Sequence, residues 1–121
     1  MCKVTAYNAN GHTIYMADIK QKYIGNIIDA AHKCNVIDKV ILFGSALENR
    51  CREESDIDLA VFGSQPKGKC LTSKAFKRFY DQLIQFDNMH QSYDVLYFRT
   101  GANVNSPIMR EIAGGEVIYE R

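Results

Sequence analysis

The stretch from Val40 to Phe62, VILFGSALENRCREESDIDLAVF, decides how the rest of the chain is read. Lys39 to Phe43 is short, apolar and β-branched, which fits a strand buried on both faces, and it stops at Gly44-Ser45. A polar segment follows, and Asp56-Ile57-Asp58 then leads a second apolar run to Phe62. Side chains alternate along a strand, so Asp56 and Asp58 are expected on one side and Ile57, Leu59 and Val61 on the other. Two carboxylates held so close repel and raise one another's pKa unless a cation lies between them, and hard oxygen ligands suit Mg²⁺ or Mn²⁺. A strand that turns at Gly44-Ser45 into a short helix would offer backbone N–H groups and the Ser45 hydroxyl to an anion. Carboxylate-held metal on one side and N–H donors on the other suit a nucleoside triphosphate placed for in-line attack at phosphorus.

Outward from this stretch, the pattern is that of one α/β (α+β) domain over residues 1–121, a small mixed sheet of about four or five strands with helices packed on it. On the N-terminal side, apolar positions Ile19, Tyr23, Ile27, Ile28 and Ala31 recur at helical spacing, predicting a helix from Ala17 to about Cys34. Lys20, Lys22, His32 and Lys33 fall mostly off that stripe and read as solvated. Residues 3–15 carry Asn10-Gly11, the dipeptide of a tight hairpin, so residues 1–16 form either a hairpin or an extended arm. On the C-terminal side, residues 63–68 read as a loop, and Thr72 or Ser73 caps a helix through Gln85. Ser92 to Phe98 is a strand interrupted by Asp94, Asn105 or Ser106 with Pro107 starts a helix, Gly114-Gly115 stops it, and Glu116 to Tyr119 is a last strand. Asp94 is a candidate third carboxylate for a two-metal site.

Fifteen Lys and Arg against fourteen Asp and Glu give a net charge of +1, so no bulk field attracts nucleic acid or an anionic membrane, and phosphate binding must be local. The hydrophobic content of 46% and charged content of 24% are those of a globular chain. Cys2, Cys34, Cys51 and Cys70 show no C-x-x-C pairing or zinc-type spacing and read as reduced thiols. The chain holds no apolar run of spanning length, and the N-terminus lacks a signal peptide's apolar centre, which makes the cytosol the expected compartment. His12, His32 and His90 stand without companions at ligand or triad spacing.

Taken singly, an Asp-x-Asp at a strand start is usually a solvated or capping pair, and a Gly-Ser is usually only a turn. Gly-Ser with Asp twelve and fourteen residues after the glycine would arise by chance on the order of once in a thousand chains of this kind. This arrangement, Gly44-Ser45 followed by Asp56-x-Asp58 between apolar strands, resembles the signature of the DNA polymerase beta-like nucleotidyltransferase superfamily in its minimal form. The resemblance extends over nearly the whole chain and places Asp94 where that superfamily carries its third carboxylate. It implies two Mg²⁺ (or Mn²⁺) ions bound by Asp56, Asp58 and Asp94, with Asp94 helping to deprotonate an attacking hydroxyl. Gly44 and Ser45 would hold the triphosphate of ATP or another NTP, and NMP would be transferred with release of pyrophosphate, an EC 2.7.7 type of reaction. Many members carry arginine two residues after the glycine and a second glycine where Asn49 stands. Here Ala46 and Asn49 occupy those places; Asn49 tolerates a left-handed conformation, and Arg50 or Arg52 is the candidate substitute cation. Lys67, Lys69 and Lys74 are further cations that could face the triphosphate.

Minimal members of the superfamily often serve as the antitoxin of a pair, silencing a helical HEPN toxin ribonuclease by adding AMP to a tyrosine, and this is the leading biological expectation. The alternative is a non-catalytic nucleotide- or partner-binding protein of the same fold. Ala46 speaks for that alternative; the retained carboxylates, with their mutual repulsion, speak against it. An accessory acting on nucleic acid is least favoured, given the near-neutral charge.

Overall fold

The computed structural model describes residues 2–102 and 105–121. The chain opens with a hairpin of β1 (Val4–Ala9) and β2 (His12–Ala17), resolving the choice between hairpin and arm. Its turn residues Asn10 and Gly11 both take positive φ, 51° and 94°, the geometry that matches the twist of the flanking strands. The predicted helix from Ala17 is divided: Ala17 ends β2, a 3₁₀ segment follows over Asp18–Tyr23, and α1 spans Ile24–Lys33. The apolar stripe continues across both segments, so periodicity alone could not mark the junction.

Four strands form the main sheet, β3 (Lys39–Phe43), β4 (Ile57–Gly63), β5 (Tyr93–Arg99) and β6 (Glu116–Glu120), in the order β5-β4-β3-β6. The β3 strand pairs antiparallel with both β4 and β6, while β4 and β5 run parallel. A parallel pair needs a long crossover, here supplied by α2 (Lys67–Leu71) and α3 (Lys74–Gln85). The α2 turn lies partly in the expected loop, where Pro66 and Gly68 suggest irregular backbone; Pro66, just before the first helical position, sacrifices no helical N–H. Ser73 caps α3 by accepting from the Phe76 N–H at 3.1 Å, and Ser106 caps α4 (Pro107–Ala113) by accepting from the Met109 N–H.

Alternation along the strands sorts the core into two layers. Val40, Leu42, Ile57, Leu59 and Val61 face α1 and α3, with Ile24, Ile27, Phe79 and Leu83 of those helices filling the main core. Ile41, Phe43 and Ala60 face the other way, under Ile108, Met109 and Ile112 of α4. His12 of the hairpin bonds through Nε2 to the Val117 carbonyl at 2.7 Å, tying the hairpin to β6. The four cysteines are free and buried, and among the described residues no helix is long and apolar enough to cross a membrane.

Candidate active site

The turn after β3 is shaped by the absence of a side chain. Gly44 takes φ +77°, and a Cβ placed on it would fall on Asp58 Oδ2 and lie 3.1 Å from Asp58 Cγ. Backbone and carboxylate therefore touch where the two halves of the motif meet, because Phe43 and Asp58 are cross-strand partners. Gly44–Leu47 forms a 3₁₀ turn closed by the Glu48 N–H donating to the Ser45 carbonyl at 2.9 Å. Ser45 is partly exposed at its surface, whereas Ala46 is fully buried in the main core. Position 46 thus contributes packing in this chain, and no cation.

Asp58 and Asp94 are direct partners in the parallel register of β4 and β5. They share the face of Ala60 and Leu96, the face that α4 covers farther along the sheet. Asp56, expected inside the strand, lies one residue before β4 and is exposed. Asp58 is the innermost, and its carboxyl is pushed up to about 6, by burial first and then by the charges of Asp94, Asp56 and Glu111. Glu111 belongs to α4, and no sequence motif pointed to it; only the packing of α4 on the sheet brings its charge to bear on Asp58.

Lys20 corrects the expectation of a solvated charge. It is buried at 1% exposure, and its ammonium donates to the carbonyls of Glu53 (2.9 Å) and Ser55 (2.8 Å) and to Gln91 Oε1 (2.6 Å). Burial lowers its pKa, partly offset by neighbouring acidic groups including Asp56. Gln91 in turn donates through Nε2 to the carbonyls of Ser55 and Ser92 at 3.0 and 2.7 Å. One lysine and one glutamine therefore clamp the backbone just before Asp56 to the backbone just before β5. A buried charge is tolerated only with such full pairing, which fixes the start of both carboxylate strands. The clamp joins residues far apart in sequence, and no local signal announces it.

The remaining candidates are less central. Arg50 pairs with Glu48, and Arg52 approaches Glu54 at 4.0 Å; both are largely exposed. Asn49 keeps a negative φ, and the turn needs no glycine there. Lys67, Lys69 and Lys74 follow the far end of β4, roughly 16 Å of strand from Asp58 at about 3.3 Å per residue. A hollow of about 730 Å³ is lined by Cys2, Ile19, Arg50, Cys51 and Arg52 among others. None of the three aspartates lines it, so the site follows the carboxylates and not the hollow.

Among the described residues no three Asp, Glu, His or Cys side chains are drawn together into a closed ligand set. The donor chemistry nevertheless fits a hard divalent ion: the ligands are oxygens only, Asp58 and Asp94 are partners on one sheet face, and Asp58 carries a repulsion that a cation would relieve. No curated protein matches this chain. The family model described as polymerase beta, nucleotidyltransferase matches residues 25–121, which begins at the second residue of α1 and takes in the turn, all three aspartates and the whole four-stranded sheet. This chain belongs to the polymerase beta nucleotidyltransferase family.

Proposed function

We propose that the protein is a metal-dependent nucleotidyltransferase that moves NMP, AMP from ATP in the first instance, onto a hydroxyl of a partner protein. The leading acceptor is a tyrosine of a helical HEPN toxin, with this chain as its antitoxin. The observation that carries the reading is the register of Asp58 opposite Asp94 with Gly44 packed against Asp58. Such a pairing costs stability through repulsion, a cost that a binding module has no reason to bear.

In this reading Gly44 and Ser45 hold the triphosphate against the turn. The acceptor hydroxyl oxygen forms a bond to the α-phosphorus, the bond from that phosphorus to the oxygen bridging the β-phosphate breaks, and pyrophosphate leaves. The hydroxyl proton passes to the Asp94 carboxylate. Asp56, Asp58 and Asp94 would hold divalent metal, two ions in the full site, and metal bound there would supply charge neutralisation for the triphosphate and a lowered pKa for the acceptor hydroxyl. The Lys20–Gln91 clamp ties the backbone just before Asp56 to the backbone just before β5, and so orients the two strand starts that carry Asp56 and Asp94.

A second reading, a non-catalytic binder that occludes its partner, is favoured by one observation: Ala46 is buried where a cation would stand, and Arg50 is engaged by Glu48. The two are separated by incubating the protein with Mg²⁺, labelled ATP and its co-purified partner, in parallel with Asp56→Ala, Asp58→Ala and Asp94→Ala. Transfer by the wild type and its loss in all three variants is expected. Transfer that persists in the variants removes the catalytic assignment, and absence of transfer from any NTP to the genuine partner supports the binder.

A further inference from the structure

The short α2 and the start of α3 concentrate positive charge. Lys67, Lys69, Lys74, Lys77 and Arg78 are all exposed, and no Asp or Glu occurs between Ser64 and Tyr80. The other ten basic residues of the chain are left to face all fourteen acidic ones. None of the five forms an ion pair among the described residues, whereas Lys22, Lys33, Arg50 and Arg52 do. The near-zero net charge thus conceals a local cationic surface on the helical layer, away from Asp56, Asp58 and Asp94 and bordered on α3 by Asp81.

That surface is not uniformly polar. Leu71 and Tyr80 are exposed at 42% and 36%, and Phe76 lies beside them at 7%. Together with Lys74 and Lys77 they line a groove of about 300 Å³. Its size admits one leucine or aromatic side chain. The two lysines stand at i and i+3 on α3, so both ammonium groups rise on the same side of the groove.

We propose that this groove binds an acidic peptide segment of a protein partner, inserting one apolar side chain between Leu71 and Tyr80 and setting its flanking carboxylates on Lys74 and Lys77. The charge complementarity selects an acidic occupant, and the apolar floor requires an anchor that charge alone does not supply. Single-stranded nucleic acid fits less well, because it prefers successive aromatic faces for successive bases, and only Tyr80 presents an exposed ring here. The inference is independent of the transfer reaction, since none of these residues belongs to the carboxylate site.

The test is fluorescence anisotropy with the full chain and a labelled peptide bearing a central leucine–phenylalanine pair flanked by glutamates. A peptide with serines in place of the pair and a labelled single-stranded oligonucleotide are titrated alongside. The paired peptide is expected to bind at least about tenfold tighter than the serine peptide and to weaken about tenfold in Lys74→Glu/Lys77→Glu, in Leu71→Ser, and on raising salt from low to about 0.5 M. These positions are exposed, and circular dichroism of each variant verifies that the fold is retained. No binding, equal binding of the two peptides, or affinity unchanged in both variants overturns the proposal. Tighter binding of the oligonucleotide overturns it in favour of a nucleic-acid surface.

Discussion

Replacing Asp58 by asparagine should make the metal-free protein more stable while removing activity. The Asp58 carboxyl is raised from its ordinary 3.8 to about 6 by burial and by the charges of Asp94, Asp56 and Glu111. At about 1.4 kcal/mol per pKa unit the ionised form is disfavoured by at most about 3 kcal/mol, and partial solvent screening reduces this to about 1–3 kcal/mol. Because the folded pKa lies above the unfolded one, the folded chain holds the extra proton between pH 3.8 and about 6. The contribution of this group to stability is therefore complete below pH 3.8 and is lost as the pH rises through about 6. Asparagine never ionises and should escape the loss. Urea unfolding in EDTA at pH 4, 6 and 8 should give curves that nearly coincide at the lowest pH and separate progressively, with Asp58→Asn ahead at pH 8. At about 4 °C per kcal/mol the thermal midpoint should rise by roughly 4–12 °C at pH 8. Added Mg²⁺ should narrow the gap, since only the wild type gains a relieved repulsion. A variant no more stable than wild type at pH 8, or a difference independent of pH, would refute the electrostatic account of the site.

Other substitutions probe other parts of the structure. Lys20→Met should cost about 1–3 kcal/mol in urea unfolding, because the Glu53 and Ser55 carbonyls and Gln91 Oε1 each lose a buried donor. Gly44→Ala should destabilise by about 2–4 kcal/mol and abolish transfer, since the methyl group meets Asp58 and the backbone must keep φ near +77°. Tyr93→Phe should leave stability unchanged or raise it by about 1 kcal/mol in the same assay, because the Tyr93 hydroxyl is buried with no hydrogen-bond partner among the described residues.

The strands and caps were legible because their signals are local. The apolar runs at Lys39–Phe43 and Ile57–Phe62, the Asn10-Gly11 turn, Ser73 before α3 and Ser106-Pro107 before α4 each act within a few residues. The pairing of Asp58 with Asp94 follows from spacing only after a parallel sheet is assumed, so the expected third carboxylate depended on the topology as much as on the residue. Lys20 was misread because its partners lie 33, 35 and 71 residues away, and a lysine in an amphipathic pattern ordinarily reaches for water. Glu111 was invisible for the same reason. The α2 turn was masked by proline and glycine, whose usual message is a loop. Asn49 stands where the family pattern has a glycine, and its tolerance of a left-handed conformation is not called on, because the local chain takes an ordinary course.

The parallel register of β4 and β5 bears on when the protein becomes functional during its own synthesis. The turn and the first two aspartates leave the ribosome early, but their counterpart at Asp94 arrives only after α2 and α3 have been made, and β5 can settle only once that crossover is in place. Until then a nascent chain carries the Gly44-Ser45 turn, Asp56 and Asp58 without the strand that bears Asp94. A truncated product ending before Tyr93 would have no Asp94, and so would not present the three-carboxylate set proposed to bind metal.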